Sequence, residues 1–489
     1  MAVLRIVTMP PRYLRATLGV MEPDTFDLIV LGGGPVGENV AQYATDGTGL
    51  HAALVDGELF GGECSYYACI PSKALLRPLS VLGSATHLPG VTGTRLDPDA
   101  LLARRNAWVS GYDDAGQVRW AEDAGLAPVR GHATLTGERT VRVAGPDGVR
   151  TLTARHAVVL ATGSVPAVPA PYRGLEAWTS RDATGVVEVP ARLAIVGGGV
   201  VATEAATWMA ALGSKVTLLV RGDRLLPQQE PFASALVADG LRAASVEVRF
   251  GVEATSASRP DARATGLGRV HGGPVRVEWP GGSLDVDEVL VATGRIPRLG
   301  DVGLESVGLT AADVVAGRLP PWLFAVGDAS GEAPLTHWGK YRARVLGTAL
   351  AHRFGGAEAD APTPEVVPVP QVVFTDPQVA AVGFTEAAAR AAGGRIVTAS
   401  VPWTAAAGAS LLQDDASGRA QLVVDADAGV VVGATFVGPD VAELVHAATI
   451  AIVGRVPVDV LRHAVPSYPT ASELWLRLLE ALPRALRAG

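Results

Sequence analysis

Short apolar runs, glycine turns and helical stretches follow one another along most of the chain, and the same order of elements occurs twice. In FDLIVLGGGPVGENVAQYATD, residues 28–31 read as a buried strand, three glycines follow, and a helix begins. A second strand, AALVD, ends at Asp56. Residues 95–125 read as helical and amphipathic, and a strand-rich patch then leads to HAVVLATG, ending in Ala161, Thr162 and Gly163. The second copy, ARLAIVGGGVVATEAATWMAALGSKVTLLVR, is again strand, glycine turn, helix and strand, now ending at Arg221. Its closing strand, DEVLVATGRIP, ends in Ala292, Thr293 and Gly294. WLFAVGDAS returns to the first unit, so one copy is inserted in the other.

A Pro-rich linker, APTPEVVPVPQ, introduces a third unit without a glycine fingerprint. Its strands (VVFTD, RAQLVVD, GVVVGATFVG) alternate with helices that include VAELVHAATIAIVG. The expected architecture is α/β: two Rossmann-like dinucleotide-binding domains, one inserted in the other, plus a C-terminal α+β interface domain. The expected boundaries are 24–170 with 296–355, then 171–295, then 366–489, with residues 1–23 an extension lacking fixed structure. A length of 489 residues exceeds what one core organises, consistent with several domains.

Composition narrows the class. With 48% hydrophobic and 18% charged residues the chain is a well-buried globular protein. A formal charge of −8 without a Lys/Arg cluster argues against nucleic acid. No apolar stretch is long enough to span a bilayer, and the opening segment makes a poor signal peptide, so the expected location is cytoplasmic. No metal site is read from the sequence.

The glycine turns carry the first chemistry. Gly32, Gly34 and Gly37 have the G-x-G-x-x-G spacing that lets a pyrophosphate approach a helix N-terminus, and Asp56 stands where an acid accepts ribose hydroxyls. The second turn has Gly197 and Gly199, with Ala202 as the third small residue. Its following strand ends in Arg221, with Arg224 nearby, rather than in an acid. A guanidinium pairs with a 2′-phosphate, which points to NADPH ahead of NADH. Surface arginines are the bland alternative in so Arg-rich a chain.

Both cysteines of the chain, Cys64 and Cys69, fall in one segment, GGECSYYACIPSK. A helix starting there, with Pro71 in its first turn, lowers thiol pKa and favours the thiolate that exchanges with disulfides. A purely structural disulfide is the competing reading, disfavoured by an intracellular redox poise. Only three lysines occur, Lys73, Lys215 and Lys340, in a chain otherwise using arginine. A retained lysine hints at chemistry arginine cannot perform.

GGECSYYACIPSK, both glycine turns, both ATG strands and AVGD stand in the order of the class I pyridine nucleotide–disulfide oxidoreductases, which the chain resembles from about residue 27 onward. That family includes dihydrolipoamide dehydrogenases, glutathione reductases and mercuric reductases. The resemblance implies an FAD domain, an inserted NAD(P) domain and a two-fold homodimer. It also implies roles: Cys69 as the flavin-side charge-transfer thiol, Cys64 as the interchange thiol, Lys73 beside the flavin, and Glu204 as its partner. Asp328, with Gly327, matches the residue that binds the ribityl chain. Thr336 and His337 lie in a segment that touches FAD through its backbone, and Thr162, Gly163, Gly294 and Arg295 match cofactor-binding positions.

The departures are as informative. Family disulfide reductases carry H-P-T-x-S-E near the C-terminus, the His serving the thiols across the dimer and the Glu orienting it. Here the residues are Tyr468, Pro469, Thr470, Ala471, Ser472 and Glu473. A phenol ionises at about pH 10 and is a poor base at neutrality. Losing a placed acid–base group typically costs on the order of 10²–10⁴ in rate. His446 and His463 lie nearby as substitutes. Mercuric reductases also have Tyr there, but deliver metal with a C-terminal cysteine pair that LPRALRAG lacks. Glu63 replaces a Thr, and Tyr66–Tyr67 replace a smaller pair, either shaping an acceptor pocket or filling space.

The expected activity is that of an NADPH-dependent flavoprotein reductase passing electrons through Cys64 and Cys69 to a small-molecule acceptor: a small disulfide, quinone, electrophile or metal ion. An NAD-linked dihydrolipoamide dehydrogenase, a mercuric reductase-like enzyme and a flavin-binding redox sensor are the alternatives.

Overall fold

A computed structural model describes residues 24–365 and 367–487. The expected N-terminal extension, residues 1–23, lies outside the described residues. Three of the five sheets among the described residues organise the chain. In the first, Ala127–Arg130, Ala52–Asp56, Thr25–Leu31 and Gly148–Leu160 run side by side in parallel, and Leu323–Ala325 returns late in the chain to pair with Gly148–Leu160. An antiparallel hairpin, His132–Gly137 with Thr140–Gly145, extends one edge. The central strands are apolar on both faces, as a sheet covered on two sides requires.

The second sheet is fully parallel, in the order Glu247–Phe250, Lys215–Val220, Arg192–Val196, Glu288–Val291. The chain enters and leaves this unit through adjacent strands, Ser164–Pro166 and Arg295–Pro297, paired antiparallel. Each directly follows an Ala-Thr-Gly end, so the insertion read from the repeat has its seam there. The third unit is a five-stranded antiparallel sheet, Gln371–Val373, Gln378–Gly383, Val430–Gly438, Arg419–Asp425 and Ile396–Pro402, packed against helices Leu444–Val453 and Glu473–Ala481. Residues 95–125 form two helices, Pro98–Trp108 and Ala115–Asp123. Between them a tight turn at residues 110–112 has Ser110 and Tyr112 at positive φ.

One apolar cluster joins all three units. Leu75 and Leu76 from the cysteine-bearing helix pack with Trp208 and Leu218 of the second unit and with Val373 and Val437 of the third. Burial of such side chains stabilises by roughly 1.5–3 kcal/mol each, which fixes the helix start between the two dinucleotide units. No helix among the described residues is long and apolar enough to cross a membrane.

Candidate active site

The two glycine turns are built alike. Gly32 donates to Val55 O at 2.8 Å, and Ala161 donates to Leu31 O at 2.8 Å. In the second copy Gly197 donates to Leu219 O at 3.0 Å, and Ala292 donates to Val196 O at 2.8 Å. Gly32 has φ +112°, and a Cβ there would lie 2.2 Å from Ala161 O, so only glycine closes the turn. Gly34 and Gly199 differ: a Cβ would meet only Gly62 Cα at 3.8 Å in one case and nothing within 4 Å in the other. These positions leave open space against the starts of helices Pro35–Thr45 and Val200–Ala211, which fits the approach of a pyrophosphate. Ala202 is fully buried in the second helix.

Asp56 ends its strand with Oδ2 accepting from Gly33 N and Oδ1 from Glu58 N, both at 2.7 Å. Burial raises its pKa, and the two backbone bonds oppose that rise. Arg221 is 81% exposed at its strand end, with Glu253 at 3.7 Å, and Arg224 donates to Pro227 O at 2.9 Å. Asp328 accepts from Ser164 Oγ at 2.5 Å. The same Oγ accepts from Arg295 Nε at 2.7 Å, while Thr162 Oγ1 donates to Arg298 O at 2.7 Å. Gly163, Gly294 and Gly327 all adopt positive φ in these turns.

The sulfur segment lies where the units meet. Cys64 sits in a short helix, Gly62–Tyr66, and Cys69 is the first residue of the helix Cys69–Thr86. Both are free thiols in this structure. Their pKa values are driven apart. The Cys64 thiol hydrogen-bonds to Cys69, which together with burial pushes Cys64 far up. That bond is also the main reason Cys69 falls to about 6, against burial and assisted by Thr336 and the charge of Lys73. Thr336 Oγ1 lies 3.3 Å from Cys69 Sγ, at the start of helix Thr336–Gly355. The two sulfurs thus differ in direction, Cys69 toward the thiolate and Cys64 toward the thiol.

Lys73, one turn along from Cys69, reaches into the second unit, where Nζ lies 2.7 Å from Glu204 Oε2. Glu204 Oε1 accepts from Phe374 N at 3.0 Å, and Lys73 Nζ stands 4.7 Å from the centre of the Phe374 ring. His337 does not turn toward the sulfurs; its Nε2 is 2.7 Å from Pro370 O. Tyr468 is 77% exposed on the third unit, and Glu473 is buried with Gly408 N at 3.5 Å. His446 and His463 are both exposed. Ser164 and Phe374 are missed from sequence, although Ser164 directly follows the Ala161–Thr162–Gly163 strand end and Phe374 lies in VVFTD, because the partners that involve them, Asp328, Arg295 and Glu204, are distant in the chain.

Two family models cover nearly all of the described residues: pyridine nucleotide-disulphide oxidoreductase over residues 26–345, and the dimerisation domain of the same family over residues 369–478. A dihydrolipoyl dehydrogenase of Bacillus subtilis is 31% identical over 481 residues, covering 94% of this chain and all of that protein. One from Thermus scotoductus is 32% identical, covering 94% and 97%. Among solved structures, the HOCl-induced flavoprotein disulfide reductase RclA from Escherichia coli superposes with a TM-score of 0.77 at 23% identity, covering 94% of this chain and 100% of that one. LpdA from Mycobacterium tuberculosis gives 0.78 at 23% identity, covering 93% and 98%. The chain belongs to the pyridine nucleotide–disulphide oxidoreductases. It is therefore an oxidoreductase of an FAD-dependent family that uses a pyridine nucleotide and a disulfide redox centre, and its dimerisation domain supports a homodimer.

Proposed function

We propose that the protein is an NADPH-dependent flavoprotein reductase that passes electrons through Cys64 and Cys69 to a small acceptor needing little proton assistance. The observation that carries this reading is the geometry at the sulfur pair: Cys69 opens its helix with Thr336 Oγ1 3.3 Å from its Sγ, and Lys73, one turn on, is held by Glu204 at 2.7 Å. FAD, when bound, supplies the step between nicotinamide hydride and the sulfur pair. The chain's own residues do the rest. The glycine turns and their helix starts hold the two pyrophosphates, and Asp56 takes ribose hydroxyls. Ser164 orients Asp328 and Arg295 with one hydroxyl. Lys73 keeps a positive charge beside Cys69, and Glu204 holds Lys73 in place. Cys64, kept as the thiol, is the group that meets the acceptor.

The exposed Arg221, with Arg224 close behind it, favours a 2′-phosphate and so NADPH. Tyr468 in place of a histidine favours quinones, electrophiles, metal ions or acidic thiols over ordinary disulfides. A second reading, an NAD-linked dihydrolipoyl dehydrogenase, is favoured by the names of the relatives. Steady-state rates with NADPH and NADH, against lipoamide and a panel of acceptors, separate the two. Preference for NADPH with slow lipoamide turnover is expected. Preference for NADH with rapid lipoamide turnover would replace the first reading by the second.

A further inference from the structure

Two of the departures at the sulfur segment, Glu63 and Tyr67, meet one residue of the second unit. Arg181, from the helix Ser180–Thr184, places Nε 2.5 Å from Glu63 Oε1 and a terminal nitrogen 2.9 Å from Glu58 Oε2. Its guanidinium also lies 4.5 Å from the centre of the Tyr67 ring, which stacks on Tyr112 at 5.5 Å and 27°. From the same helix, Thr184 Oγ1 donates to Tyr67 O at 2.8 Å. That helix is itself held. Asp182 and Thr179 form a reciprocal cap, and the buried Arg105 donates to Thr184 O and, at 2.8 Å, to Val186 O.

Glu63 immediately precedes Cys64, and Tyr67 lies between the two sulfurs, so one guanidinium grips the segment on both sides of Cys64. A carboxylate next to a thiol opposes thiolate formation unless a cation offsets it. Glu63 Oε2 is buried without a hydrogen-bond partner, and Arg295 stands 3.7 Å away, so Arg181 is the close counter-charge. A thiolate-bearing loop gains from being held, because the proximity of the two sulfurs sets their exchange equilibrium.

We propose that Arg181 is a positioning residue for the sulfur couple, neutralising Glu63 beside Cys64 and pinning Tyr67 so that the second unit holds the inter-cysteine loop. The inference rests on the couple being the electron route. The readout is the pH dependence of Cys64 alkylation by iodoacetamide in the NADPH-reduced holoenzyme, with the long-wavelength thiolate–flavin absorbance, flavin content and far-UV circular dichroism alongside. Arg181→Met is expected to raise the apparent pKa by about one unit, and Arg181→Lys by less, since the charge survives but the planar fork is lost. Glu63→Gln alone is expected to lower it, and Glu63→Gln combined with Arg181→Met to return it toward the wild-type value. An unchanged pKa in Arg181→Met, or a double variant displaced as far as Arg181→Met alone, overturns the proposal. If Arg181→Met does not fold, an unchanged or raised pKa in Glu63→Gln overturns it equally. Absence of the band in the wild-type protein would instead sink the underlying reading, so the two failures are distinguishable.

Discussion

Lys73 and Glu204 join the first and second units on the Cys69 side of the sulfur pair, Nζ to Oε2 at 2.7 Å, with the lysine side chain 37% exposed and the glutamate 4%. The two charges act on Cys69 with opposite signs: Lys73 lowers its pKa and Glu204 raises it. Removing one partner or the other must therefore move the thiolate in opposite directions.

That asymmetry gives a direct measurement. In the wild-type reduced holoenzyme the thiolate–flavin absorbance is expected to fade as pH falls through about 6, because Cys69 takes up its proton there. Lys73→Met shifts this transition upward, and Glu204→Gln shifts it downward. A pH titration of the band in the three proteins checks both signs. Equal upward shifts would mean that the pair acts only by holding the units together.

Glu38 gives the second expectation. It follows Gly37 in the first helix, is only 9% exposed, and its Oε1 has no partner. Burial raises its pKa from 4.5 to about 7, with Lys340 opposing and Asp56 adding to the rise. Below the unfolded value the proton is bound in both states and no penalty exists. Between about 4.5 and 7 only the folded protein keeps the proton, so stability falls as pH rises and then levels off. The full loss is about 3 kcal/mol at most. Glu38→Gln should therefore be more stable than wild type at pH 8 and equal to it near pH 4.5. Urea midpoints at the two pH values decide the matter, and a gap independent of pH would assign the effect to packing.

Within the second unit, Arg259 and Glu288 form an ion pair with both side chains fully buried. Glu288 also accepts from His271 N and Val289 N, each at 2.9 Å, and Arg259 donates to His271 O at 3.0 Å. Arg259→Met leaves the carboxylate buried with no cation, a loss of about 3–5 kcal/mol. Arg259→Met with Glu288→Leu should recover much of that, since neither charge then remains. Denaturation midpoints of the two variants test the order, and a double variant no better than the single one would show that the hydrogen bonds matter more than the charge.

The parts of the site legible from sequence are those whose geometry is local. The turns at Gly32 and Gly197 declare themselves because strand, glycines and helix are contiguous, and the Cys64–Cys69 segment because both sulfurs share one short stretch. Lys73 and Glu204 were reachable through family motifs, although 131 residues separate them. Arg181 carries no local signal: it is one arginine among many, and only the packing of helix Ser180–Thr184 against residues 63–67 gives it a role. Ser164 sits beside the legible Ala161–Thr162–Gly163 end, but its role is not legible, since its partner Asp328 is contributed by the returning chain after the inserted unit. The break at residues 110–112 also escaped the periodicity, because Tyr112 accepts a positive φ there and stacks on Tyr67.

Tyr468 is the position at which the sequence departs furthest from disulfide-reducing relatives, and its exposure makes it the easiest to restore. At 77% exposed on the single chain it packs in no core of its own protomer, so Tyr468→His leaves the protomer fold intact. An imidazolium, ionising at about pH 6.5, can return a proton to a leaving thiolate, whereas a phenol at about pH 10 is a weaker acid than the thiol it would protonate. Turnover of a plain disulfide such as oxidised lipoamide is expected to rise at least about tenfold, the low end of the usual acid–base contribution. Glu473 lies five residues on, buried with Gly408 N at 3.5 Å, and in the family pattern the glutamate at this spacing orients the imidazole. Glu473→Gln in the Tyr468→His background should remove most of the gain while leaving the reduction of the couple by the pyridine nucleotide untouched. Stopped-flow traces of the two half-reactions separate these effects. A Tyr468→His protein no faster than wild type would place the proton donor elsewhere in the chain.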